Sequence, residues 1–315
     1  MNSLVNWNVF SNPHPRVKPT LLVGLLVAVA ALSQVRAQSP VDTTQPKAEE
    51  KSAETKSVQP QVESDVAKKS EEQRKKILAD AETALAETKK ALGLLGEKKN
   101  SEALAALEVA TGKLELILAR DPKLALAPVD TQVVIHDLYA KPETVKDILK
   151  SARELLGSGE VQKARPMLAT LGSEIVYETT NLPLATYPAA IKEAVRLIDT
   201  GKVDEAQTIL RTALNTLAIT SVAVPLPPLR AEAMLKDAQK LAENDKRDSK
   251  QNEELAKLLA DVRTQVQMAE VLGYGKKDDF KPIYEQIKQI EQKTSGGKSG
   301  KGWFDKIKAQ VSGLF

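Results

Sequence analysis

The chain has 315 residues, of which 42% are hydrophobic, 28% charged and 3% aromatic, and it contains no cysteine. A chain of this size can bury enough apolar surface to fold without disulfides, and the missing thiols exclude cysteine nucleophiles, iron–sulfur clusters and cysteine zinc sites. With so few aromatics the core must come from Leu, Ala, Val and Ile, and Ala- and Leu-rich sequence interspersed with Lys and Glu favours helix.

Residues 1–37 read as a cleavable secretory signal. Arg16 and Lys18 precede an uninterrupted apolar run, 21–32 (LLVGLLVAVAAL), and a short polar segment ends Val35-Arg36-Ala37. Charged start, apolar centre and small-residue exit occur in the order that export requires. The run makes a helix of roughly 18 Å, too short for a hydrocarbon core of about 30 Å. Cleavage near Ala37 places the mature chain in the periplasm or otherwise outside the cytoplasm. It also changes the charge. Removing the 3 bases Arg16, Lys18 and Arg36 from 45 leaves 42, against 42 acids, so the formal +3 disappears. A neutral body argues against nucleic acid as a partner, which needs a concentrated basic face.

Residues 38–69 are rich in Pro, Gln, Ser, Thr, Lys and Glu without apolar periodicity, and read as a disordered, solvated linker. From residue 70 helical spacing begins with Ile77, Leu78, Ala81, Ala84, Leu85 and Ala91. A repeat then emerges. Ala91, Leu94, Leu95, Ala103 and Leu107 stand at relative positions 0, 3, 4, 12 and 16, as do Ala152, Leu155, Leu156, Ala164 and Leu168, and Ala194, Leu197, Ile198, Ala206 and Leu210. Turn-prone residues separate the halves, so each copy predicts two helices joined by a tight polar turn. The offsets of 61 and 42 residues exclude a regular tetratricopeptide array.

Between the hairpins lie β-branched stretches beside prolines: 131–138 (TQVVIHDL), 174–179 (EIVYET) and 218–224 (AITSVAV). They predict short strands, assembled in one small sheet. Two long helices follow over 228–244 and 248–272, the second stopped by Gly273-Tyr274-Gly275. A further helix covers 279–293. The predicted fold is therefore mainly α: antiparallel helical hairpins packed as one domain over 70–294, with a few short β-segments in the connections. Residues 295–315 form a flexible linker and an amphipathic helix. At 100° per residue Trp303, Phe304, Ile307, Val311, Leu314 and Phe315 share an arc of about 120°. That arc fits docking on the domain itself, insertion in a membrane surface or capture by a protein partner.

The sequence blocks 115–129 (ELILARDPKLALAPV), 174–188 (EIVYETTNLPLATYP), 212–231 (TALNTLAITSVAVPLPPLRA) and 269–275 (AEVLGYG) resemble signature blocks of the YfdX family over about residues 75–292. The resemblance implies an exported, mostly helical bacterial protein, prone to self-association as a homo-oligomer and tied to stress responses. It implies no established enzymatic activity, so it supplies no catalytic residues.

The residues themselves offer little chemistry. His136 is the sole histidine after Ala37, and His136-Asp137 suggests an oriented base, with Tyr177, Thr179 and Thr180 as partners if the strands pair; an enzyme of unrecognised type using His136 or the Tyr177/Thr180 cluster is the alternative reading. A lone histidine in a β-branched segment is more often hydrogen-bonded structure. One His without Cys is a poor zinc set, and 295–302 (SGGKSGKG) lacks phosphate-loop spacing. No catalytic residue, metal or cofactor is expected. The remaining candidate is a ligand or partner groove walled by Tyr177, Thr179, Thr180, Asn181, Tyr187 and His136, polar groups around Leu182-Pro183-Leu184.

Overall fold

Alternation of Ala-rich and β-branched sequence carries directly into the element order of the computed structural model, which describes residues 51–314. Helices α1 (Ala53–Arg74), α2 (Ala79–Gly96) and α3 (Asn100–Arg120) lead into strand β1 (Leu126–His136). Helices α4 (Pro142–Gly157) and α5 (Val161–Ala169) lead into β2 (Glu174–Pro183), and α6 (Tyr187–Asp199) and α7 (Val203–Asn215) into β3 (Ala218–Pro225). The chain closes with α8 (Leu226–Glu243), α9 (Ser249–Leu272), α10 (Lys277–Thr294) and α11 (Asp305–Ser312). The fold is mainly α, as expected, with the three β-branched stretches in one antiparallel sheet of order β1-β2-β3. Val133 stands opposite Tyr177, and Tyr177 opposite Val222. The β1–β2 register shifts between Pro128 and Asp130, where proline has no N–H for the ladder.

The three hairpins close with the same turn. After the first helix of each, Lys98 (φ 62°), Gly159 (φ 76°) and Gly201 (φ 78°) occupy the left-handed region at the same place in the repeat. The next amide folds back on the helix each time: Lys99 on the Leu94 carbonyl (2.9 Å), Glu160 on Leu155 (2.8 Å), Lys202 on Leu197 (2.8 Å). Glycine takes this conformation without strain and Lys98 does not. The paired alanines Ala91 and Ala103, Ala152 and Ala164, and Ala194 and Ala206 are all buried, so backbones approach closely within every hairpin.

Two larger cores flank the sheet. In the first, α2–α3 packs on α6–α7 to make a four-helix unit, with α3 against α6 and α2 against α7. Leu95, Leu107, Leu197, Ile198 and Leu210 fill its seam. The second joins α8, α9, α10 and α11. Helix α9 is bounded by a capping box between Asp248 and Gln251 and by Gly273 (φ 82°). A smaller cluster of Val62, Ile175, Tyr177, Val224 and Leu226 seats α1 on the sheet.

Three expectations are corrected. Within the stretch read as a solvated linker, residues 53–69 belong to α1, which is fixed by buried Val58 and Val62 and by partly buried Val66. Three valines spaced four apart make one apolar stripe, too sparse among polar residues to stand out. The helical pattern from residue 70 is broken, because α1 ends at Arg74 and the Leu78 amide turns to the Pro128 carbonyl (3.0 Å). The Gly/Ser/Lys stretch after residue 294 is also anchored. The Gly300 amide donates to the Ala242 carbonyl (3.1 Å), and Arg247 Nη2 to the Lys298 carbonyl (2.9 Å). Trp303 lies against Gly300 so closely that a Cβ there would fall 2.2 Å from Cζ2. Residues 1–37, and with them the expected signal, lie outside the described residues, as do 38–50 of the expected linker.

Candidate functional site

The predicted groove is not assembled. Tyr177 and Tyr187 are 2% and 1% exposed and belong to different cores, Tyr177 under α1 and Tyr187 in the four-helix unit. Tyr177 Oη donates to the Val66 carbonyl at 3.4 Å. Burial pushes the Tyr187 hydroxyl up to about 12. Asn181 is a strap within the sheet: its Nδ2 donates to the Thr179 carbonyl (2.9 Å), the Ala218 carbonyl (3.1 Å) and Thr220 Oγ1 (3.1 Å). Thr179 and Thr180 are half-buried on β2, and His136 is exposed at the end of β1 opposite Glu174. Alternation along β2 sends its side chains to two faces, and the start of α6 carries Tyr187 away.

Asp137 does not orient His136. Its carboxylate accepts from Arg230 Nη2 at 2.9 and 2.8 Å, from the Tyr139 hydroxyl, and lies 3.6 Å from Lys51 Nζ. The same Nη2 donates to Tyr139 Oη at 2.6 Å, and Lys51 Nζ sits 4.4 Å from the Tyr139 ring centre. Burial first, and hydrogen bonding to Asp137 next, drive the Tyr139 hydroxyl far above its ordinary value, against the opposing pull of Arg230. Arg230 is 3% exposed. Sequence reasoning missed this cluster, although an arginine inside the apolar run Leu226-Pro227-Pro228-Leu229-Arg230-Ala231 was its signal: a buried guanidinium requires a partner.

The C-terminal arc is used inside the domain. Phe304, Ile307 and Val311 are fully buried in the core shared with α8, α9 and α10, and Trp303 and Leu314 pack against it. Lys308 Nζ donates to Gln239 Oε1 on α8 (2.6 Å). Membrane or partner contact through these residues is therefore corrected, since docking on the domain takes up the apolar face. Phe315 lies outside the described residues. Among the described residues no helix is long and apolar enough to cross a membrane.

Exposed apolar side chains lie on α3 (Val109, Leu116), on the sheet (Ile135, Ile219, Val222) and on the middle hairpin. Leu156, Val161 and Leu168 are 43%, 52% and 40% exposed. Ile148, Leu149, Leu155 and Met167 are half-buried nearby. Among the described residues none of the three hydrophobic clusters includes a side chain from α4 or α5. Helix α4 leans on α9, but no sister hairpin covers the seam. A contiguous exposed apolar surface is a candidate site of association.

The fold and this surface define a mainly α protein, built of helical hairpins on a small antiparallel sheet, that presents an unpaired hairpin. The family described as YfdX protein matches residues 84–223. The match spans α2 to β3, most of it, and leaves α8 to α11 outside. A solved structure of Salmonella Typhi YfdX is similar at 17% identity over 48% of this chain and 93% of that one, with a TM-score of 0.34. No curated protein matches the chain.

Proposed function

We propose that the protein is exported and acts by binding rather than by catalysis, assembling with further copies of itself through the α4–α5 seam. The observation that carries this reading is the exposure of Leu156 and Leu168 where the sister repeats bury Leu95, Leu107, Ile198 and Leu210. A seam that closes hairpin on hairpin within the chain is chemically suited to close on its own copy, in a two-fold contact. The α4–α5 hairpin carries the acids Glu143, Asp147, Glu154 and Glu160 and the bases Lys146, Lys150, Arg153, Lys163 and Arg165, so a self-paired seam carries charges of both signs and only a small net excess. Export rests on the order of charge, apolar run and small residues in 1–37. A place in stress responses belongs to the same reading and rests on the family resemblance alone.

Sedimentation velocity of the exported chain tests this. The wild type should sediment as an oligomer, and Leu156→Glu with Leu168→Glu should sediment as a folded monomer with unchanged circular dichroism. Equal sedimentation of both would remove the seam from the account. Turnover of any substrate that disappears in His136→Ala would overturn the non-enzymatic reading.

A further inference from the structure

We infer that the polar cavity between the start of α1, the β1–α4 connection and helices α8 and α9 binds a small monocarboxylate bearing a hydroxyl or amino group next to its carboxylate. The cavity has a volume of about 170 Å³, and Lys51, Ser52, Tyr139, Ser173, Arg230 and Asp261 are among its lining residues. At about 30 Å³ per water, that space accommodates an acid of about two to four carbon atoms.

Two of the lining residues carry buried polar atoms that lack a hydrogen-bond partner. Arg230 is 3% exposed, and while its Nη2 is held by Asp137 and Tyr139, its Nε has no acceptor among the described residues. Ser173 is fully buried, and its Oγ has no partner. The Ser173 backbone is fixed on both sides, its amide donating to Tyr274 Oη (2.9 Å) and its carbonyl accepting from the Leu226 amide (2.9 Å). The hydroxyl is thus held in place with nothing to bind. Buried donors left without acceptors are rare in native proteins and point to a missing partner.

Charge selects the class. Lys51, Lys141 and Arg230 stand against the carboxylates of Asp137 and Asp261, three bases to two acids, which leaves one positive charge over in this corner. Ser52, which caps α1 by accepting from the Thr55 amide (3.0 Å), donates to Asp261 among the lining residues. An anion with several charges meets repulsion from Asp261, whereas a single carboxylate with an adjacent donor offers an acceptor to Arg230 and Ser173 and a donor to Asp261. Arginine pairs well with a planar carboxylate.

Titration of the full chain with lactate, glycolate, alanine and glycine, followed by the melting temperature and by calorimetry, tests the assignment. At least one of these acids should raise the melting temperature saturably, and inorganic phosphate should not. Ser173→Ala removes a hydroxyl that has no bond in the free fold, so the unliganded melting temperature should stay level or rise while affinity drops about tenfold. Lys51→Gln should weaken binding in the same direction. No saturable shift with any of the four acids, an equal shift with phosphate, or undiminished affinity in both variants would each overturn the proposal. So would a crystal structure grown in saturating lactate with only water on Arg230 Nε and Ser173 Oγ.

Discussion

Leu107 and Leu210 are fully buried, whereas Leu168, at the same place in its own hairpin, is 40% exposed. The alanines inside the three hairpins show no such difference: Ala103, Ala164 and Ala206 are all fully buried. The contrast separates two layers of information in one repeat. Positions 0 and 12 close a hairpin on itself and depend on local sequence alone. Positions 4 and 16 close one hairpin on another, and they are satisfied only where a sister hairpin arrives. Hairpins α2–α3 and α6–α7 find each other, while α4–α5 is left with a seam of the same kind and no partner hairpin among the described residues.

The largest effect that can break this comparison comes from the buried seam. Leu107→Ala or Leu210→Ala should cost about 3 kcal/mol in urea unfolding, through lost transfer energy and a residual cavity. Leu168→Ala, measured on the dissociated chain, should cost less than about 1 kcal/mol because the side chain is largely wet. Equal losses at all three positions would show the middle seam to be covered within the monomer.

Next in size is overpacking at the alanines, which sharpens the distinction. Ala164→Leu and Ala206→Leu should each destabilise by roughly 1–3 kcal/mol, since both hairpins need the close approach. Thermal melts of the two variants, compared pairwise, give the answer. If Ala164→Leu were neutral, the middle hairpin would not be closed as its sisters are.

The turns give the smallest effect and the one with opposite signs. Gly159→Ala and Gly201→Ala should each destabilise by about 1 kcal/mol, because a Cβ is strained at their positive φ. Lys98→Gly should stabilise by about 0.5–1 kcal/mol, as it places the permissive residue where the first hairpin carries a strained one. Chemical denaturation with matched m-values checks all three.

The hairpins and the sheet were legible because their signals are periodic: alanine and leucine at helical spacing, β-branched runs between prolines. Helix α1 was not, since Val58, Val62 and Val66 are the whole of its apolar stripe and gain meaning only against the sheet and α8. The C-terminal arc was legible as an amphipathic face, but periodicity reports that a face is apolar and not what covers it. Tyr177 and Tyr187 stand ten residues apart in sequence, and only the fold reveals that they enter different cores. The Arg230–Asp137 pairing joins residues from β1–α4 and α8, a long-range contact that one sequence does not encode locally. The exposure at Leu156 and Leu168 was equally hidden, because the three copies look alike until one of them lacks its neighbour.

The measurement that bears most directly on the seam is hydrogen exchange of the full chain as a function of its concentration. The account predicts that peptides covering α4 and α5 gain protection as concentration rises, while those covering α2–α3 and α6–α7 exchange at a constant rate. Protection in α4 and α5 that stays flat as the concentration rises would contradict it.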